Sequence, residues 1–165
     1  MKNKHKQLVD FGKKLLDSNS SMDGLKIISE YSKSIMESER CSIFMYDAEA
    51  SELWTTLSDG IEKIVLPYDV GLIGLTIRTK KPILENDPYG NSNFLSDIDM
   101  HSGYYTQNLI TAPIFNSKRE IVGVLELLNK ESGFTKKDIE FITFFSHYIS
   151  AFIELTNMYE RGQFE

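Results

Sequence analysis

Apolar residues recur at helical spacing at both ends of the chain and at strand spacing between them. Leu8, Phe11 and Leu15 stand three to four positions apart and predict a first helix. The polar run from Asp17 to Ser21 breaks it and supplies the N-cap of a second helix, whose face carries Leu25, Ile28, Tyr31 and Ile35. Apolar runs between polar turns then predict three strands, Ser42–Tyr46, Glu52–Leu57 and Glu62–Leu66, the last stopped by Pro67. Val70–Thr79 reads as a short helix with Gly71 and Gly74 in its first turn, and Pro82–Glu85 as a short fourth strand. Residues 86–103 read as a long loop with one helical turn at Phe94–Asp99, and a loop of this length in a compact domain is usually functional or disordered. Gln107–Phe115 and Ile121–Leu128 are two more strands, joined by the turn at Asn116–Arg119.

The final helix is predicted over 136–160 and opens on Thr135 and Asp138, a capping box with Asp in the acidic position. It carries two apolar stripes. One runs through Ile142, Phe145, Ile149 and Phe152, the other through Phe141, Phe144, Tyr148, Ala151 and Leu155. One stripe is expected on a sheet and the second on a partner helix, with deep burial in the same domain as the alternative. The order of elements predicts an α+β fold built on a six-stranded antiparallel sheet. The N- and C-terminal helices would cover one face. The short helix and the long loop would enclose a ligand pocket on the other. The expected unit is a single domain over 1–165, with helices in 1–38, sheet and pocket in 39–134, and a signalling or dimerisation helix in 135–165.

Composition narrows the class. The chain has 165 residues, 41% hydrophobic and 25% charged, ordinary values for a globular protein with its own core. The net charge of −6 and the lack of a basic run argue against nucleic acid as a partner. No apolar run approaches the roughly 20 residues that span a bilayer. The basic start Met1–Lys6 is not followed by an apolar signal region, so a cytoplasmic location is expected. The one cysteine, Cys41, excludes an internal disulfide and any Cys-x-x-Cys site, and in an apolar strand it reads as a small buried hydrophobe. Gly-x-Ser-x-Gly, Walker and His-Glu-x-x-His patterns are missing, which argues against catalysis. Asp97, Asp99 and His101 alternate, and in an extended segment they would share one side as metal donors. The plainer reading is a polar loop surface, and no metal site is expected.

Four segments carry a family resemblance: Cys41–Phe44, Leu66–Gly74, Ser102–Leu109 and Gly123–Lys130. Asn129, Lys130, Phe134 and Asp138 follow as a signature motif, with Ile139 separating Asp138 from Glu140 where the family usually has adjacent acids. Over about 22–155 the chain resembles the GAF domain family, in the form found in cyclic-nucleotide phosphodiesterases and bacterial signalling proteins. The resemblance implies a regulatory sensor and not an enzyme. It implies a pocket at Ser42, Ser58, Asp59, Leu72, Ile73, Asp99, Ser102, Thr106 and Glu126. It implies an ion pair between Lys130 and Asp138. Cyclic AMP and cyclic GMP are the candidate ligands. A Tyr often present in the family's cover loop falls at Leu95 here. The family's methionine sulfoxide reductases and bilin-binding members work through cysteines, and Cys41 is badly placed for either. The implied partners are a second copy, through the terminal helices, and a downstream output domain. The alternative is a scaffold that dimerises without ligand, with Phe94, Leu95, Tyr104 and Tyr105 filling the pocket. From the residues themselves, the Gly71–Gly74 turn offers backbone N–H groups to a phosphate. Asp59 and Glu126 offer acceptors to a base edge.

Overall fold

The computed structural model describes residues 4–17, 21–58 and 64–160. Two helices, α1 (Lys4–Leu16) and α2 (Ser21–Met36), precede strands β1 (Ser38–Asp47), β2 (Glu52–Ser58) and β3 (Val65–Pro67). Helix α3 (Gly71–Thr79) and strand β4 (Ile83–Glu85) follow. The connection to β5 (Leu109–Phe115) holds a 3-10 turn (Pro88–Gly90) and helix α4 (Asp97–Ser102). Strand β6 (Ile121–Lys130) and helix α5 (Lys136–Glu160) complete the chain. The described strands form one antiparallel sheet in the order β3-β2-β1-β6-β5-β4. The expected α+β architecture is therefore present.

Alternation along the strands divides the sheet into two faces. Cys41 and Ile43 of β1, Ile110, Ala112 and Ile114 of β5, and Leu125 and Leu127 of β6 join one core with α1, α2 and α5. Phe44, Val124, Leu109 and Leu128 point the other way, where Leu72, Ile73 and Ile77 of α3 cover them. The buried hydroxyls of Thr76 and Thr111, 2.6 Å apart, fix α3 to β5. Thr76 spends its proton on the Leu72 carbonyl, so Thr111 donates to Thr76.

The second stripe of α5 has an occupant within the chain. Phe11 of α1 packs edge-on against both Phe145 and Tyr148 and tilts against Tyr31 of α2. At Gly24 of α2 an added Cβ would lie 2.0 Å from the Phe152 ring, so the close approach of α2 to α5 requires glycine. The wide apolar face of α5 thus serves its own domain, the alternative that the sequence left open. Leu155 remains 56% exposed on it.

The 86–103 region departs most from expectation. Its helical turn lies at Asp97–Ser102 instead of Phe94–Asp99 and ends at Gly103 in the left-handed region. Asp97, Asp99 and His101 therefore lie on a helix, where alternate residues do not share a face. Among the described residues no cluster suits a metal ion. No helix among them is long and apolar enough to cross a membrane.

Candidate functional site

Between the α3 face of the sheet and the 86–108 segment lies a cavity of about 60 Å³, open at its mouth. Six of the expected residues line it: Ser42, Leu72, Ile73, Asp99, Thr106 and Glu126. Ser58 lies opposite Ser42 in the β1–β2 register, and Ser102 ends α4. The side chains of these two and the whole of Asp59 lie outside the described residues. Phe44, Leu109 and Leu128 add an apolar floor that sequence reasoning did not assign to the pocket. Their signal was available: each sits two positions from a pocket residue or opposite one on the neighbouring strand. Phe94, Leu95 and Tyr104 enter the wall, as the scaffold alternative anticipated. Tyr105 stays 61% exposed and stacks on Tyr89 with centroids 4.9 Å apart.

Helix α3 begins at the cavity. Val70 caps it in an extended conformation without a side-chain hydrogen bond. Its first N–H groups, at Gly71, Leu72 and Ile73, have no carbonyl one turn earlier in the helix to bond, and they border the cavity. Gly71 has φ +67°, and a Cβ there would come within 3.3 Å of Leu95 Cβ. Glycine thus permits both the turn and the seat of Leu95.

The two carboxylates differ. Asp99 is spent on the fold: it accepts from the Thr106 amide at 2.9 Å, the Thr106 hydroxyl at 3.0 Å and the Tyr89 phenol at 2.6 Å. That bond, with burial, pushes the Tyr89 phenol up to about 12. Asp99 and Thr106 therefore brace the cover segment against the β5 end, and neither offers its full capacity to a ligand. Glu126 stands on the floor between Ser42 and Thr111 of the adjoining strands. No hydrogen bond reaches its carboxyl from the described residues. Burial, aided by the negative charge of Asp99, raises its pKa from 4.5 to about 7. Among the described residues the cavity lining contains no lysine or arginine.

The signature segment ties the cover to α5. Lys130 Nζ lies 2.9 Å from both oxygens of Asp138, the ion pair that the resemblance implied. Asp138 also accepts the Thr135 amide at 2.8 Å, which completes the expected cap. Asn86, at the front of the cover segment, exchanges two hydrogen bonds with the Phe134 backbone, 2.9 and 3.0 Å. Asn108, at its rear, exchanges two with the Lys130 backbone, both 2.8 Å. Asn129 Oδ1 accepts the Gln107 amide at 2.7 Å, and its Nδ2 donates to the Tyr105 carbonyl at 2.9 Å. Sequence reasoning named Asn129 but not Asn86 and Asn108. The signal for them was an asparagine at each end of a long loop.

Asn129 has φ +59°, a conformation that asparagine tolerates better than alanine. Asn129→Ala is expected to lose about 2 kcal/mol, because the Gln107 amide loses its acceptor. Asn129→Gly would relieve the backbone and lose less. Urea denaturation of the two variants checks the order.

Known proteins agree with this architecture. The family model for the GAF domain matches residues 24–153. The chain is 30% identical over 101 residues to the cGMP-specific 3',5'-cyclic phosphodiesterase of Drosophila melanogaster, an alignment covering 58% of this chain and 9% of that protein. The chain thus spans less than a tenth of the length of that relative. The GAF domain of a phosphoenolpyruvate-protein phosphotransferase from Coxiella burnetii superposes with a TM-score of 0.83 at 20% identity, covering 98% of this chain and 97% of that one. The free methionine-R-sulfoxide reductase of Neisseria meningitidis, solved with its substrate, superposes with a TM-score of 0.79 at 13% identity, covering 94% and 90%. With the family model spanning α2 to α5, this chain belongs to the GAF domain family.

Proposed function

We propose that this chain is a regulatory sensor module that takes a small organic molecule into the cavity and relays its presence through α5. The observation that carries this reading is Glu126: a raised carboxyl on a cavity floor, with no hydrogen bond from the described residues. Such a group is costly to bury unless something donates to it. A ligand with adjacent N–H donors would do so. Guanine offers such an edge, which makes cyclic GMP the first candidate and cyclic AMP the second. The open first turn of α3 is the complementary feature for the phosphate. The relay follows from the clamp: Asn86, Asn108 and Asn129 hold the cover to 129–134, and Lys130 holds that segment to α5. A ligand that prefers one position of the cover then biases α5. An output domain elsewhere in a longer signalling protein would receive the change.

Binding, and not catalysis, is the role we assign. Cys41 belongs to the core on the helix-covered face, so the chain's one thiol lies on the far side of the sheet from the cavity. A cytoplasmic setting is part of the same proposal. A second reading, an association scaffold, draws on the exposed Val9 and Leu155 of the helix layer, 46% and 56% accessible. Sedimentation showing a monomer at high concentration would remove it.

Thermal unfolding with cyclic GMP and cyclic AMP tests the first reading. At a hundredfold excess over Kd, bound ligand adds about 2.7 kcal/mol, or roughly 5–10 °C in Tm for a domain of this size. Glu126→Gln is expected to keep the fold and weaken cyclic GMP binding about tenfold or more, the worth of a hydrogen bond to a charged acceptor. Equal affinity in that variant would sink the assignment of Glu126. No shift with either nucleotide would discard them as ligands.

A further inference from the structure

Among the described residues the cavity lining carries two carboxylates and no cation, yet a cation lies one side chain away. Arg40 of β1 is two positions from Ser42, so it stands on the same face of the sheet. Its partner across the β1–β6 ladder is Leu128, a residue of the cavity floor. The guanidinium stacks on the Tyr104 ring, 3.7 Å from its centroid, and Tyr104 in turn forms cavity wall. Arg40 Nη1 is buried and has no hydrogen-bond partner among the described residues. No carboxylate pairs with Arg40 there either. Tyr104 is tethered from outside: its hydroxyl donates to Glu39 Oε2 at 2.8 Å, and Asn129 Nδ2 reaches the same oxygen at 3.3 Å.

A buried charged donor left without an acceptor is unfavourable, and a guanidinium is shaped to hold an oxyanion on two N–H groups. We propose that Arg40 is an oxyanion-binding position of this cavity, screened by the Tyr104 ring and opened when that ring leaves Glu39. The proposal deepens the sensor reading and rests on the same cavity. It gives the ligand class an acidic group, phosphate or carboxylate, at the β1 end, in addition to the donor edge that faces Glu126. Glu39 and Tyr104 set how readily the position opens.

Inorganic phosphate is the probe, followed through the arginine Nε–H signals of the full chain by NMR. Arg40→Gln identifies the Arg40 signal and removes the site. The expected result is a saturable phosphate-dependent shift of the Arg40 signal. Glu39→Ala, an exposed change, and Tyr104→Phe both release the tether and should lower the phosphate Kd several-fold. Agreement between these two variants guards against a folding defect in either. No saturable shift in wild type, Glu39→Ala or Tyr104→Phe would overturn the proposal. So would phosphate binding that persists in Arg40→Gln. Cyclic GMP and guanosine separate this from the sensor reading. Cyclic GMP bound equally by wild type and Arg40→Gln keeps the sensor and discards Arg40. Phosphate bound at Arg40 without any response to cyclic GMP keeps Arg40 and discards the nucleotide.

Discussion

Lys130→Ala is expected to destabilise the domain by about 3–5 kcal/mol, the usual cost of stranding one member of a buried ion pair. Side-chain accessibility is 10% for Lys130 and 3% for Asp138, so water cannot replace the missing partner. A loss of this size is a large part of the roughly 5–15 kcal/mol that holds a typical domain together. Asp138 would keep its bonds from Thr135 but would carry an unbalanced charge beneath the first turn of α5. Replacing both residues, with Lys130→Met and Asp138→Leu, removes charge and partner together. That double variant is expected to unfold at a higher urea midpoint than Lys130→Ala, although the Thr135 cap is lost. A single variant within 1 kcal/mol of wild type would show that the pair contributes little.

The second large effect is a pH profile set by Glu126. Its pKa is raised in the folded protein, from 4.5 to about 7, by burial first and by Asp99 second. The folded state therefore holds the proton more tightly than the unfolded chain. Below pH 4.5 both states are protonated and the group costs nothing. As pH rises towards 7, the unfolded chain gives up the proton first, and stability falls. The fall amounts to about 3 kcal/mol by the linkage relation. Glu126→Gln is neutral throughout and lacks this slope. Its stability relative to wild type should rise by about that amount between pH 4.5 and pH 8, read from urea midpoints at several pH values. Parallel profiles would mean that the Glu126 carboxyl is as well solvated as in the open chain. A ligand donating to the carboxylate would favour its charged form, so binding should release a proton near pH 6–7 and strengthen as pH rises.

Much of the fold was legible because local pattern and global role coincide. Cys41 and Ile43 alternate with Ser42 and Phe44, and the sheet places the first pair under the helices and the second at the cavity. The Lys130–Asp138 pair and the Asp138 cap follow from residues eight and three positions apart, within reach of local reasoning. What was not legible depends on long-range packing. The α5 stripe with Phe144 and Tyr148 fits a partner helix from any chain, and only the seat of Phe11 shows that α1 supplies it. Asp99 was expected to face a ligand, but Tyr89 and Thr106, ten and seven positions away, claim its oxygens. Arg40 and Tyr104 are 64 positions apart, and their stack has no signature in either neighbourhood.

The strand order places β3 and β4 at the two edges of the sheet. Each has three residues, and the first of these edges ends at Pro67, which has no N–H to donate. Edges this brief give a foreign strand little backbone to pair with, so the sheet resists growth by stacking copies side by side. An association between copies is therefore expected to be made through side chains.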